Sequence, residues 1–171
     1  RPPLFIEESK SVSPAEWGSR MHLAFQLLPV KDYNAQTLAE SLDSLVEREL
    51  LTQEERASLD EGLILNFFKS ELGRDIIDNG ESVLRETAFT MIHNIDGVNI
   101  NIDGQIDLVY EKDDKLYLVD FKTDRSPIAE KYRDQLYFYT EAIKRAYPNK
   151  KVETASLYWV RSGQVSVFET N

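Results

Sequence analysis

Three residues late in the chain, Asp107, Asp120 and Lys122, have the types and spacing that hydrolysis of a phosphate ester could use. The polar run Lys112-Asp113-Asp114-Lys115 separates two apolar stretches, Gly104 to Tyr110 and Leu116 to Lys122, which reads as an antiparallel hairpin. If the loop is symmetric about Asp113-Asp114, Asp107 falls opposite Asp120. Opposed side chains share a face, with Cβ atoms about 4.5–5.5 Å apart. Two carboxylates at that distance repel unless a cation lies between them or one holds a proton. Lys122, two residues beyond Asp120, projects from the same face, while Val119 and Phe121 point the other way into core. A divalent cation held there would polarise a phosphate and lower the pKa of a bound water. An ammonium beside it could orient that water or neutralise charge in the transition state. The same residues also fit a solvated face on which Lys122 pairs with a carboxylate to little effect. The apolar flanks Ile106 and Leu118-Val119, and Gly104, which permits a close backbone approach, favour the site.

Composition narrows the chemistry. Cysteine is absent, which removes disulfides, thiolate zinc sites, iron–sulfur clusters and cysteine nucleophiles together. Only His22 and His93 are available, so a metal site must lean on carboxylates, hard oxygen ligands that suit magnesium, or manganese, rather than zinc. The net charge of −10, from 30 acidic against 20 basic residues, opposes unspecific attraction to a polyanion; something else must hold a nucleic acid strand. No apolar run approaches the roughly 20 residues of a membrane span. The 171 residues suit one globular domain. Its Arg1-Pro2-Pro3 start, with no initiator Met and no secretory signal, leads us to expect a cytoplasmic fragment of a longer protein.

The elements that must position these residues follow from periodicity. Ser13-Pro14-Ala15-Glu16 is a capping box, and Trp17, Met21, Phe25 and Leu28 form one apolar stripe with Gly18 and His22 beside it. A second helix runs through Leu38, Leu42 and Leu45. A third starts at the Thr52–Glu55 capping box, continues through Leu59, Leu63 and Phe67, and ends near Gly73. Val83 to Ile92 reads as strand, Asp96-Gly97 as a turn, and Val98 to Ile102 as strand again. Tyr132, Leu136, Tyr139, Ile143 and Ala146 follow helical spacing until Pro148; Ala155 to Val160 and Val165 to Phe168 form a last strand pair. The helical part, 1–80, should buttress a mixed sheet within 81–171. No internal repeat and no G-x-x-x-x-G-K-[ST] phosphate loop occurs, so this stretch should not hydrolyse ATP.

Five short motifs in order are similar to those of the RecB-type nucleases of the PD-(D/E)xK superfamily. Gly18-Ser19-Arg20-Met21-His22 resembles a G-T-x-x-H helix, and Arg85-Glu86-Thr87-Ala88-Phe89 an R-E-x-P-F strand. Gly104-Gln105-Ile106-Asp107 resembles G-x-I-D, Leu118-Val119-Asp120-Phe121-Lys122-Thr123-Asp124 resembles V-D-Y-K-T-D, and Gln135-Leu136-Tyr137-Phe138-Tyr139 resembles Q-L-x-x-Y. The resemblance runs from Phe5 to Tyr158 and is strongest to the nuclease end of AddA-type (RexA-type) helicase–nuclease subunits. Ser19, Phe121 and Ala88 depart from the pattern without removing a charged group.

The resemblance implies an α/β (α+β), restriction-endonuclease-like core with a mixed central sheet flanked by helices and an N-terminal helical extension. It implies that His22, Asp107, Asp120 and the carbonyl of Phe121 hold magnesium, with Lys122 as the catalytic lysine. Glu86 matches an acidic position near the site, and Gln135 and Tyr139 a pair that supports it or contacts DNA. The activity implied is exonuclease cleavage of single-stranded DNA ends during double-strand break repair by recombination. The partners implied are an AddB-type (RexB-type) subunit and helicase domains of the same chain. The alternative is a catalytically silent nuclease fold that guides a strand or supports an assembly, and the acidic charge suits it. Read by type and place alone, His22 could be a structural histidine, Glu86 a solvated rung, and Gln135 and Tyr139 ordinary helix residues. His93 has no role assigned. Arg20 reads as a solvated residue more readily than as a phosphate contact, and Trp17, Phe67 and Phe68 as packing residues rather than base platforms.

Overall fold

The computed structural model describes residues 12–170, so the Arg1-Pro2-Pro3 start and the first residues of the resemblance, from Phe5, lie outside it. Five helices, α1 (Pro14–Leu27), α2 (Ala35–Glu47), α3 (Gln53–Ser58), α4 (Glu61–Lys69) and α5 (Glu71–Asp78), precede the strands β1 (Val83–Ile95), β2 (Val98–Lys112) and β3 (Lys115–Lys122). Helix α6 (Arg133–Ala146) then leads to β4 (Lys151–Trp159) and β5 (Val165–Glu169). The strands form one sheet in the order β1-β2-β3-β4-β5. Only β3 and β4 are parallel, and α6 makes the crossover that a parallel pair needs. The sheet is mixed, as expected. No helix among the described residues is long and apolar enough to cross a membrane.

Two cores cover the two faces of the sheet. On one, Met21, Phe25 and Leu28 of the α1 region pack with Leu38, Leu42, Ile64 and Phe67 against Leu108, Val119, Phe121 and Tyr158. On the other, Leu136 and Ile143 of α6 pack against Ile106, Val109, Leu118, Leu157 and Trp159. Alternation along β3 produces the division: Val119 and Phe121 face the helical first half, and Leu116 and Leu118 face α6.

Both capping boxes expected at Ser13 and Thr52 form, and Asn34 with Thr37 makes a third. The expected third helix is instead three. Asp60 caps a new start, its carboxylate accepting from Leu63 N at 3.0 Å, which turns the chain after the buried Leu59 and ends α3. Gly73 does not terminate a helix. Ser70 closes α4 and opens α5, donating to Phe67 O at 2.6 Å and accepting from Gly73 N at 3.0 Å. A Cβ at Gly73 would lie 2.0 Å from Phe67 O, so the corner requires glycine for space. Strand β2 also runs unbroken through Asp103, where two strands were expected.

Candidate active site

The β2–β3 ladder runs from Lys112↔Lys115 to Leu108↔Val119, the register that symmetry about Asp113-Asp114 predicts. Beyond that last pair the strands part. β3 continues beside β4 as far as Lys122↔Trp159, and β2 continues beside β1. Asp107 and Asp120 are the first residues inside the fork. The Asp107 carboxylate takes the Phe121 N–H, Oδ2 to N 2.8 Å, so a side chain replaces the backbone acceptor the ladder would have supplied. On the other side of β2 the β1–β2 ladder passes from Arg85↔Leu108 to Thr87↔Ile106, omitting Glu86 and Asp107. Glu86 there has φ +51°, in the left-handed region that few non-glycine residues adopt. Strict alternation would place Ile106 with Leu108 on the face of the first five helices, yet Ile106 packs in the α6-side core. The pleat breaks at Asp107.

His22 reaches this fork from α1. Its Nε2 lies 2.7 Å from Phe121 O and 3.5 Å from Asp107 Oδ2, and its Nδ1 lies 2.9 Å from Gly18 O. Both ring nitrogens face carbonyl oxygens, which only the doubly protonated ring satisfies as a donor. Burial pushes the His22 pKa down, but Asp107 and the two carbonyls outweigh it and raise it to about 9. Two contacts fix the helix. Gly18 lets α1 approach Thr123, whose Oγ1 would be 2.6 Å from a Cβ there. Arg85 donates to the Phe25 and Leu28 carbonyls at the end of α1.

Asp120 is buried, with a side chain 6% exposed. Burial, the Asp107 charge and the hydrogen bond between the two carboxyl groups push its pKa up, against the pull of Lys122. Asp107 is driven the other way, because the contacts with His22, Asp120 and the Phe121 N–H outweigh its own burial. The pair therefore retains one proton in a pH range where isolated carboxyl groups would have lost both. Lys122 Nζ lies 2.7 Å from Asp120 Oδ2 and donates to Gln135 Oε1 at 2.8 Å; Gln135 Nε2 donates to the Tyr139 hydroxyl at 2.9 Å. Gln135 and Tyr139 are one turn apart on α6 and face the sheet together. The rings of Tyr139 and Phe89 close over Gly104, where a Cβ would meet them at 3.1 and 2.6 Å.

Glu86 lies on the wall of an open cleft of about 610 Å³ that also includes Arg20, His22, Gln105 and Asp107. Burial and Asp107 raise its pKa, opposed by His22. The structure thus brings His22, Asp107, Asp120, Lys122, Gln135, Tyr139 and the Phe121 carbonyl together, with Glu86 on the adjoining wall. His93 is not part of the site and packs edge-on against Phe138. The Phe121 ring stacks on Phe25 at 4.4 Å in the opposite core, and Phe67 packs against both. Arg20 is not the solvated residue expected. Its side chain is 16% exposed; among the described residues its Nη1 is buried without a hydrogen-bond partner, and Nη2 reaches only Glu54, 3.5 Å away. Tyr132, to which sequence alone assigned no role, places its ring 3.9 Å from Lys122 Nζ. Its signal was available: Tyr132, Gln135 and Tyr139 follow i, i+3, i+7 spacing on one helical face.

Among the described residues no three His, Asp or Glu side chains form a ready-made metal cage. A cation here would depend on the Phe121 carbonyl as well as on side chains. The donor set fits one in another respect. Asp120 Oδ2 is buried and touches Lys122, yet among the described residues no contact reaches it in hydrogen-bonding geometry. Two hard carboxylates, a carbonyl and an imidazole line the fork around it, a donor set suited to a hard divalent cation.

A sequence profile of the PD-(D/E)XK nuclease superfamily matches residues 3–168. The chain belongs to that superfamily. Asp120-Phe121-Lys122 is a D-x-K of the kind the superfamily's name spells. The chain is similar to an ATP-dependent helicase/nuclease subunit of the A type from Clostridium botulinum (strain Alaska E43), with 33% identity over 91% of this chain and 14% of that protein. It is 32% identical to the corresponding helicase/nuclease subunit of Moorella thermoacetica over 95% of the chain and 13% of that protein. For that of Bacillus pumilus the figures are 32%, 92% and 14%. The superfamily domain seen here therefore spans about one-seventh of the length of these relatives.

Proposed function

We propose that this domain is a magnesium-dependent deoxyribonuclease that hydrolyses phosphodiester bonds at single-stranded DNA ends. The observation that carries the reading is the fork between β2 and β3, where Asp107, Asp120, Lys122, His22 and the Phe121 carbonyl meet. Asp107, Asp120, the Phe121 carbonyl and His22 would hold the ion, His22 by giving up its Nε2 proton. A bound magnesium, or manganese, would polarise the phosphate and supply a hydroxide from water near neutral pH. Lys122, kept in place by Gln135, presents an ammonium to the phosphate oxygens on which charge builds. Glu86 on the cleft wall is placed to take a proton from water, its pKa being raised toward that task. Gln135 and Tyr139 hold Lys122 and border the path of the strand.

The helicase/nuclease relatives are about seven times longer than this chain, and this supports a domain that receives DNA from a motor in the same polypeptide. Each of those relatives is named as one of a lettered set of subunits, which supports an assembly with a second, AddB-type partner working in double-strand break repair. The test is digestion of end-labelled single-stranded DNA with magnesium, with EDTA, and with Asp120→Ala. We expect magnesium-dependent cleavage that Asp120→Ala abolishes. The net charge of −10 favours a second reading, a silent module that guides a strand. Wild-type protein that binds magnesium and cuts nothing, even at low salt, would select it.

A further inference from the structure

Lysine brings a flexible four-carbon stem and three rotatable donors, so a lysine that must hold one position needs walls. Two walls around Lys122 are polar: Asp120 Oδ2 at 2.7 Å and Gln135 Oε1 at 2.8 Å. The third is the ring of Tyr132, whose centroid lies 3.9 Å from Nζ, well inside the range at which an aromatic face attracts an ammonium. Tyr132 occupies the last position before α6 and is itself fixed from behind. Its hydroxyl donates to Asp124 Oδ2 at 2.6 Å, and its ring lies 6.1 Å from that of the buried Trp159. Lys131 brings a cation to Asp124 at 3.6 Å.

We propose that Tyr132 is a positioning residue for Lys122, and that it also separates that ammonium from the Asp124 carboxylate two residues further along the chain. One face of the side chain receives the cation while its far end binds the anion. Without the ring, Asp124 becomes a third strong acceptor within reach of a mobile lysine, and the ammonium would be tied to carboxylates on two sides. A ring holds the ammonium in place yet accepts no strong hydrogen bond, so one N–H stays available for a phosphate oxygen. Asp124 thereby keeps Tyr132 oriented without competing for Lys122.

The proposal rests on the nuclease reading for its effect on rate, but its geometry can be measured without activity. In protein labelled at lysine Cε, the Lys122 ε-methylene, assigned by its loss in Lys122→Met, should resonate upfield of the other lysines because it adjoins the ammonium held against the ring. We expect Tyr132→Phe to keep that shift and Tyr132→Leu to lose it. With single-stranded DNA, Tyr132→Leu should lower kcat roughly ten- to a hundredfold, the scale of a misplaced catalytic group, with KM changed less than about threefold. Tyr132→Phe should restore most of the rate. An ordinary Lys122 shift in wild type, or one unaltered in Tyr132→Leu, overturns the proposal. So does a Tyr132→Leu enzyme that loses the shift and cuts at full rate, or a Tyr132→Phe enzyme as impaired as the leucine variant. Wild type that cuts nothing defeats the nuclease reading instead, and the resonance of Lys122 still decides whether the ring holds it.

Discussion

Protons occupy the carboxylate–imidazole cluster in a way that makes it sensitive to pH. His22 is held above its ordinary 6.5, at about 9, so its stabilising contribution is complete below pH 6.5 and is lost as pH rises towards 9. Asp120 is also raised, from an ordinary 3.8, so its folded form binds a proton that the unfolded chain has already released. Its contribution likewise falls as pH rises above 3.8 towards neutrality. Asp107, which is lowered, has the opposite sign and matters only below its ordinary 3.8. In both upper windows the folded state binds more protons than the unfolded one, so stability must decrease with pH. We expect the midpoint of thermal unfolding in EDTA to fall steadily between about pH 5 and pH 9. Asp120→Asn should remove the lower part of that slope and leave the part due to His22. A divalent cation competes with these same protons, so magnesium should cancel the decline and bind more tightly as pH rises. A midpoint that is flat across this range in EDTA, or that magnesium leaves unchanged at about pH 8.5, would show that the cluster does not hold its protons this way.

At the scale of elements, the site depends on where two strands cease to pair, and that was only half legible in the sequence. The opposition of Asp107 and Asp120 follows from counting outward from a short polar loop, because strand alternation has a fixed period of two. The partition of β3 into Val119 and Phe121 on one side and Asp120 and Lys122 on the other follows from the same rule. The parting of β2 from β3 has no such signature. It coincides with a glutamate, Glu86, at φ +51° on the neighbouring strand, a conformation that composition would assign to glycine or asparagine, and with an aspartate accepting a backbone N–H. The burial of Arg20 escaped the sequence because helix spacing within α1 says nothing about what packs across it, α3 with Glu54 included. Gly104 tests how tightly the elements are joined. An alanine there places its Cβ against two ring edges, Phe89 and Tyr139, instead of backbone, so the rings can yield and the fold should survive. We expect Gly104→Ala to cost about 1–3 kcal/mol, as overpacking does, lowering the unfolding midpoint by roughly 3–10 °C. Displacing Tyr139 also disturbs Gln135 and then Lys122, so cleavage should suffer more than stability. If Gly104→Ala cuts DNA at the wild-type rate, the chain from Tyr139 to Lys122 transmits nothing.

For the whole molecule, charge sets the difficulty of reaching the site. A domain of net charge −10 repels a polyanion, and Arg20 is the one Arg or Lys among the described residues lining the cleft. Its guanidinium is nearly buried, and its only partner among the described residues is Glu54, a carboxylate 82% exposed at 3.5 Å. That contact is long, solvated and worth little, so an incoming phosphate can displace it. Glu54, beside the cleft-lining Arg20, also adds its charge to the repulsion. Replacing it should therefore help binding and leave folding almost unchanged. With catalytically silenced Asp120→Ala protein, we expect Glu54→Gln to tighten binding of a single-stranded oligonucleotide about two- to fivefold at roughly 50 mM salt, the scale of one exposed charge interaction. The gain should shrink as salt rises, because the Debye length falls to about 8 Å near 150 mM. Arg20→Gln should weaken binding in the same assay and flatten its dependence on salt by close to one phosphate contact. If Arg20 were there only to anchor α3 through Glu54, both substitutions would loosen that helix pair and neither would improve affinity; opposite signs for the two assign the arginine to the strand.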